Sequence, residues 1–343
     1  MKALMLTEYN HFKLMDVETP TIEDNEVLVQ VKACGICGSD VHGMDGSTGR
    51  RIPPIVMGHE AAGVISRIGS AVTGWKIGDR VTFDSTVYCG TCWYCRRGDI
   101  HLCDNRRVLG VSCDEYRRNG AFAESVAVPE HILYSIPERL SFEEAALCEP
   151  LSIAVHAVHR TRISIGDTAV VAGSGMIGLL LIQVLRSAGC GKIIAIDLED
   201  DKLAMAERLG ATVGLNPRKA DPVAAIQGLT GGRGADIAFE VVGIGATLNI
   251  AVESLRKGGI LTLVGNLTAV DEFPHQAVVT REITLNGSCA SRGDYPACLE
   301  LLQNGAIDTK AFISRTAPLS EGAQWFERLH RKEPGLLKVI LVP

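Results

Sequence analysis

The sequence predicts an α/β protein in two parts, a β-rich first domain and a second domain built on a doubly wound parallel sheet. Three observations carry that prediction. Before about residue 136 the apolar residues fall in short alternating runs broken by glycine turns, as half-buried strands do. At residue 168 the texture changes: Thr168–Ala172 is a buried-strand run that passes straight into Gly173-Ser-Gly175-Met176-Ile177-Gly178. An apolar helical stretch follows, from Leu179 to Ala188, and then a second strand that ends at Asp197. Beyond it, strand signals at 236–242, 260–264 and 282–285 alternate with helical stretches near 200–209, 222–229 and 245–256, which is βαβ alternation.

The chain's size and charge narrow the function. At 343 residues it is long enough for two domains with cores of their own. A net charge of −6 gives no basic footprint, which excludes nucleic acid and anionic membrane as main partners. No apolar run reaches the ~18 residues of a spanning helix. The first sixteen residues lack the apolar core of a secretory signal, so a cytoplasmic protein is expected. Eleven cysteines is an odd number, which argues against a purely disulfide framework.

In order, Val27–Val31 alternates as a strand and leads to Ala33-Cys34-Gly-Ile-Cys37-Gly-Ser39-Asp40-Val-His42. After a loop comes Pro53-Pro54-Ile-Val-Met-Gly58-His59-Glu60. Cys, His and Glu are zinc donors, and a catalytic zinc takes three protein ligands with one position open. Cys37 and His59 are therefore candidate metal ligands, with Ser39 and His42 beside them to move a proton. A turn, a core thiol and surface histidines would explain the same residues more plainly.

Strands are expected at 61–69, after a turn at 75–81, and at 126–128 and 132–136. Between them lies Cys89-x2-Cys92-x2-Cys95-x7-Cys103. Four thiolates in so short a loop can close a tetrahedral shell, which suits a structural zinc. An iron–sulfur cluster and disulfides are the alternatives. His101 reads as a surface side chain, and Cys34, Cys113, Cys190, Cys289 and Cys298 as buried small hydrophobes.

Ser141 and Glu144 have capping-box spacing and open a helix that runs into Cys148-Glu149-Pro150. Glu149 is either a metal ligand, a buried acid or part of an exposed turn. The tail carries helices near 294–304 and 321–329 and a last strand at 337–342, which is expected to pack back on the first domain.

A lone GxGxxG is weak evidence. Here it follows a strand, opens a helix and meets an acid 19 residues after its last glycine, which is the dinucleotide fingerprint. Gly173, Gly175, Met176, Ile177 and Gly178 would cradle the pyrophosphate at the helix N-terminus. Asp197 would accept from the adenosine ribose hydroxyls and repel a 2′-phosphate, which favours NAD. Lys202 could reach the same ribose or be a surface lysine. Val264, Gly265 and Asn266 are candidates to line the nicotinamide, with Gly287 and Ser288 behind them.

Taken together, these motifs make the whole chain similar to the zinc-dependent medium-chain alcohol dehydrogenases, in their order and at their spacings. The resemblance implies a GroES-like catalytic domain over 1–150, a Rossmann domain over 151–287 and a return of 288–343 to the first domain. Cys37 and His59 match catalytic-zinc ligands. Cys148-Glu149-Pro150-Leu151 looks like the Glu-Pro-Leu of the polyol (sorbitol-type) and threonine dehydrogenase branch, where Glu149 takes the third position and Glu60 can also bind. Cys148 is a rival ligand. Ser39 and His42 match the proton relay, and Cys89, Cys92, Cys95 and Cys103 the structural zinc.

The implied reaction is reversible oxidation of a secondary alcohol of a polyol to a ketone with NAD. Rivals are threonine, sugar-phosphate or vicinal-diol oxidation, with Arg50, Arg51 and Arg117 as clamps for an anionic substrate, and a non-catalytic NAD-binding regulator. A homo-oligomer, tetramer or dimer, is implied by resemblance alone.

Overall fold

The computed structural model describes residues 1–113, 116–269 and 272–343. The chain divides into two compact units, Met1–Glu149 with Ser291–Pro343, and Pro150–Ala290. Among the described residues, no helix is long and apolar enough to cross a membrane.

In the first unit, β1 (Lys2–Glu8), β2 (His11–Asp16) and β4 (Ile55–Val56) form a small sheet in the order β2-β1-β4. The larger sheet is centred on β3 (Glu26–Gly35), which pairs antiparallel with β5 (Glu60–Ile68) and β9 (Ser125–Pro129). β6 (Arg80–Phe83) and β10 (Leu133–Ser135) extend it on the β5 side, and β18 (Lys338–Val342) and β17 (Ile313–Pro318) on the other. In Val27–Val31 the three valines are buried on one face and Gln30 between them is exposed, the alternation the sequence predicts, with Leu28 also buried on the opposite face.

The C-terminal segment belongs to this core. β18 pairs antiparallel with β3, Ile340 opposite Gly35 and Leu341 opposite Cys34. From α11 (Gly322–His330), Phe326 packs edge-on against Phe122 at 5.6 Å and stacks on Phe12 at 4.3 Å. Short β7 (Thr86–Val87) and β8 (Arg107–Val108) pair antiparallel and bracket the four-cysteine loop.

The capping box forms as the spacing requires: Glu144 N donates to Ser141 Oγ, and Ser141 N to Glu144 Oε2. The helix it opens, α3 (Phe142–Ala146), stops before Cys148. A new helix, α4 (Cys148–His159), starts there, so Glu149 lies in a first turn rather than in a loop. Pro150 falls where its missing N–H costs nothing.

The second unit is a six-stranded, wholly parallel sheet. Its order is β13-β12-β11-β14-β15-β16, from β11 (Thr168–Ala172), β12 (Lys192–Ile196), β13 (Val213–Leu215), β14 (Ala235–Glu240), β15 (Leu255–Leu263) and β16 (Thr284–Gly287). The strand order reverses at β11, and ligands bind such sheets at the strand ends beside that reversal. The connecting helices fall where the periodicity puts them, among them α5 (Met176–Ser187), α6 (Asp200–Arg208), α7 (Pro222–Leu229) and α8 (Gly245–Ser254).

Asp84, just past β6, is a buried acid that the sequence did not mark. Its Oδ1 accepts from the Thr86 amide at 2.8 Å, and its Oδ2 has no hydrogen-bond partner among the described residues. Burial pushes its carboxyl up to about 7, with Thr86 opposing and Asp294 adding to the rise. The native state therefore holds this proton more tightly than the unfolded chain does. The stabilisation is full below the ordinary carboxylate range and is lost as pH rises through about 7. Each pH unit crossed costs at most about 1.4 kcal/mol. Asp84→Asn should flatten the decline in urea midpoint between pH 5 and pH 8, and an equally steep decline in the variant would rule Asp84 out as its source.

Candidate functional site

Strand register brings the first candidate group together. Gly35, the last residue of β3, lies opposite Glu60, the first of β5. Cys37 and His59 therefore both fall just beyond the same end of the sheet. Gly58 makes the approach possible: its φ is +95°, and a Cβ there would lie 2.8 Å from the Phe122 amide nitrogen and 2.9 Å from Cys34 Sγ. Ligand atoms of Cys37, His59 and Glu60 all lie within 4.8 Å of one another. Glu149 is not in that set.

Cys37 caps α1 (Gly38–Gly43), its sulfur accepting from the Ser39 amide at 3.4 Å. The Ser39 hydroxyl donates to the same sulfur at 3.3 Å. His42 lies exposed in the last turn of that helix.

Around these residues lies a shell of buried charges that sequence reasoning missed. Asp40 is fully buried, and its Oδ2 lies 3.5 Å from His59 Nδ1. Neither atom makes a hydrogen bond among the described residues, and the carboxylate stands beside the ring as it does in carboxylate–histidine pairs. Burial works against the Asp40 charge, but His59 and Arg51 outweigh it and hold the carboxyl well below its usual range.

Arg51 is itself buried and gives Nε and Nη2 to Asp40 Oδ1 at 3.1 and 2.8 Å. It is thus not free to clamp an anionic substrate, because a buried carboxylate already occupies it. Arg117 reaches the Pro54 carbonyl at 3.2 Å, and Arg50 is exposed.

Glu60 is paired in the same way. Lys338 Nζ donates to its two carboxylate oxygens at 2.7 and 2.6 Å and to the Ile36 carbonyl at 3.0 Å. Burial disfavours the lysine charge, and Glu60 more than restores it. No local signal could have found Lys338, since it reaches the site only through β18.

Glu149 is raised to about 7, first by burial and then by Glu60 and Asp84, with His59 opposing. Cys148 keeps its proton: burial raises it far above the thiol range, and its Sγ–H points to the Tyr295 carbonyl at 3.8 Å. That weighs against Cys148 as the rival ligand.

The other cysteine group is equally compact. Cys89, Cys92, Cys95 and Cys103 place their sulfurs within 4.8 Å of one another, and none of the eleven cysteines is in a disulfide. Amide donors surround the sulfurs, Cys89 N and Asn105 N to Cys103 Sγ at 3.3 Å each and Cys92 N to Cys89 Sγ at 3.4 Å. Thr91's hydroxyl leads the groups that lower Cys89 to about 5, whereas burial pushes Cys95 up to about 12 and raises Cys103. Donors aimed at sulfur favour thiolate and suit a tetrahedral metal shell better than disulfides. His101 is buried in the turn before Cys103 rather than on the surface. Of the other cysteines, Cys289 is exposed and Cys113 and Cys190 are half-buried, against the expectation that all would be core.

In the second unit, Gly173 has a φ of +110°, and a Cβ on Gly178 would lie 1.9 Å from the Gly173 carbonyl oxygen. These glycines let the helix pack against the turn. Gly175 differs: a Cβ there would meet nothing within 4 Å, which leaves open space before the first turn of α5, the turn that carries Met176 and Ile177. That space and the free amides suit a pyrophosphate.

Asp197 follows β12, and its Oδ2 accepts from the Ser174 amide at 2.8 Å. Lys202 pairs with Glu199 at 2.8 Å. Gly265 has a packing role the sequence reading did not give it, since a Cβ there would lie 2.2 Å from the Gly243 nitrogen. Glu240, also missed, is buried at the end of β14 and accepts from Val242 N, Gly243 N and Thr247 Oγ1 at 2.9, 2.8 and 2.6 Å. Val264 and Gly265 donate their amides to its carbonyl at 2.8 and 3.0 Å, which fixes the loop that carries Asn266.

Comparison with known proteins agrees with this geometry. Residues 23–138 match the alcohol dehydrogenase GroES-like domain, and residues 177–304 match the zinc-binding dehydrogenase family. The chain is 35% identical to sorbitol dehydrogenase of Bacillus subtilis (strain 168), over 100% of this chain and 97% of that protein. Alcohol dehydrogenase TADH from Thermus sp. ATN1 matches with a TM-score of 0.94 at 32% identity, over 100% of this chain and 99% of the other. A Sinorhizobium meliloti 1021 protein described as a zinc-binding dehydrogenase, solved bound to NADP, matches with a TM-score of 0.91 at 32% identity and the same coverage. The chain belongs to the zinc-dependent medium-chain alcohol and polyol dehydrogenase family.

Removing one partner of a buried ion pair leaves an uncompensated charge, at a cost of about 3–5 kcal/mol. Lys338→Met should lower the stability of chelator-treated protein by that order, and by less once zinc is restored. Denaturant unfolding with and without zinc measures both, and an unchanged midpoint in the chelated variant would refute the pairing.

Proposed function

We propose that the protein oxidises a secondary alcohol of a polyol or sugar alcohol to a ketone, reversibly, with NAD as its cofactor. The observation that carries this reading is the convergence of Cys37, His59 and Glu60 within 4.8 Å, with the Ser39 hydroxyl 3.3 Å from the Cys37 sulfur.

Zinc, when bound, supplies a Lewis acid for the substrate oxygen. Cys37 and His59 hold it, with the third ligand from Glu60 or Glu149. Ser39 accepts the substrate's hydroxyl proton as its own proton passes outward toward His42. A nicotinamide, which Val264, Gly265 and Asn266 would line, would supply the acceptor for the substrate's carbon-bound hydride, so the two electrons and the proton would leave by separate routes. Cys89, Cys92, Cys95 and Cys103 hold a second, structural zinc.

Asp197 supports NAD over NADP. Its Oδ2 is tied to Ser174 and its Oδ1 accepts from Glu199 N at 3.1 Å, so a fixed negative charge stands where the adenosine ribose would bind. A neutral polyol is favoured over a phosphorylated or amino-acid substrate because Arg51, one of three candidate clamps, is committed to Asp40.

The first test is NADH formation on sorbitol, xylitol, galactitol, galactitol phosphate, threonine and 2,3-butanediol, with and without a zinc chelator. Chelator-sensitive turnover confined to the free polyols is expected. Turnover of the phosphate or of threonine alone would replace the substrate class, and turnover of none would refute the enzymatic reading. Asp197→Ala should weaken NAD and improve NADP, shifting their kcat/KM ratio by about tenfold or more, since one lost ribose contact and one lost repulsion act together. An unchanged ratio would remove Asp197 from that role.

A further inference from the structure

We propose that Glu240 is the positioning residue for the nicotinamide end of the cofactor: its side chain braces the loop that would line the nicotinamide, and its loss should spoil that end while the adenosine and pyrophosphate end stays intact. The proposal rests on the reading that Val264, Gly265 and Asn266 line the nicotinamide, and deepens it.

Glu240 ends β14 and is 2% exposed. Its Oε1 accepts from Val242 N at 2.9 Å, Gly243 N at 2.8 Å and Thr247 Oγ1 at 2.6 Å, and its Oε2 accepts from Gly243 N at 3.0 Å. The carboxylate therefore shapes the turn between β14 and α8. That turn is in backbone contact with the candidate nicotinamide loop. A Cβ on Gly243 would lie 2.5 Å from Asn266 N and 2.4 Å from Leu267 N. The Gly243 carbonyl accepts from Thr268 N at 3.0 Å and from Thr268 Oγ1 at 2.7 Å. The near end of the loop is held by the carbonyl of Glu240, through the Val264 and Gly265 amides. One residue thus holds the loop at both ends, directly by its carbonyl and through Gly243 by its carboxylate.

The pyrophosphate turn has anchors of its own. Gly173 N donates to the Ile196 carbonyl at 2.8 Å and Ser174 N to Asp197 Oδ2 at 2.8 Å, and Asp197 is fixed again by the Glu199 amide. None of these bonds involves the Glu240 side chain. β14 joins that side through a backbone bond, Val241 N to the Ala172 carbonyl at 3.0 Å. A change confined to the carboxylate should therefore separate the two ends of the dinucleotide. Glutamine makes that change. It has the shape of glutamate, but one acceptor oxygen and a donor NH2. Gly243 N contacts both carboxylate oxygens, so whichever way the amide turns, donor meets donor. The turn must then shift, and Asn266 with it.

The test compares wild type, Glu240→Gln, Thr247→Val and Thr247→Ser. Calorimetry measures the binding of NADH and of ADP-ribose, which has the same adenosine and pyrophosphate but no nicotinamide. Glu240→Gln should leave ADP-ribose within about twofold of wild type and weaken NADH about tenfold, as loss of one hydrogen bond to a charged group does. Thr247→Val removes one of the three donors at nearly constant shape and should show the same selective loss at about threefold. Thr247→Ser keeps the hydroxyl and should bind both ligands as wild type does. On the panel alcohol that wild type oxidises fastest, Glu240→Gln should lower kcat about tenfold, with the alcohol KM within about twofold. The isotope effect of a carbon-deuterated substrate should rise, because a misplaced acceptor slows hydride transfer itself.

Equal weakening of NADH and ADP-ribose, or a wild-type NADH affinity or kcat in Glu240→Gln, would overturn the proposal and leave the dinucleotide site standing. A loss in Thr247→Ser as large as in Thr247→Val would do the same. A wild type that binds neither ligand would overturn the dinucleotide reading and the proposal with it. The binding comparison decides even where no panel alcohol is oxidised. Should Glu240→Gln fail to fold, the Thr247 pair must show the selective loss and its rescue.

Discussion

Two carboxylates buried at one end of a sheet dictate how the first unit is assembled. Asp40 and Glu60 are sealed from water, and neither can remain charged there without a partner. Their cations come from distant stretches of chain. Arg51 folds back from the loop after α1, and Lys338 arrives on the last strand, 278 residues from Glu60. The pairing of β18 with β3 is therefore an electrostatic requirement of the site as well as an addition to the sheet. Even Gly35 belongs to this constraint, because a Cβ there would lie 2.2 Å from Glu60 Oε2.

How much of this was legible in the sequence depends on how local each interaction is. The four cysteines of the loop, the strand–glycine–helix turn and the capping box are written within short windows, and each was readable. Cys37 and His59 are farther apart but carry their chemistry in their own side chains. Arg51 and Lys338 are different. An isolated basic residue looks like any solvated one until the fold supplies its carboxylate, so Arg51 was read as a clamp for substrate and Lys338 was not noticed. Glu149 stood beside a proline and allowed a turn, yet that proline is acceptable because a helix begins there. His101 was read as surface because a cysteine loop rich in polar residues gives no sign that this side chain is buried.

The glycines of the second unit show a related ambiguity. A glycine at the end of a parallel strand can admit a ligand or another stretch of backbone. Gly175 faces open space, whereas Gly243 and Gly265 press against each other. Glu240 holds the Gly243 turn through its side chain and the Val264–Gly265 amides through its carbonyl. The strand ends β14 and β15 are thus fixed to each other before any cofactor arrives, which is the rigidity a precise binding loop requires.

Charge counting joins the two buried pairs to the proposed chemistry. Arg51 compensates Asp40 and Lys338 compensates Glu60, so neither buried carboxylate brings an unpaired charge to the site. On the proposed reading, a zinc ion held by Cys37 and His59 would supply a Lewis acid to an oxygen that is losing its proton. Lys338 pairs with Glu60 beside that position, so the last strand brings a cation to the site as well as a strand to the sheet. Arg51 stands at the other carboxylate, its guanidinium shared between Asp40 and the Ser39 hydroxyl. Two cations from distant stretches of chain thus fix the two sides of one site.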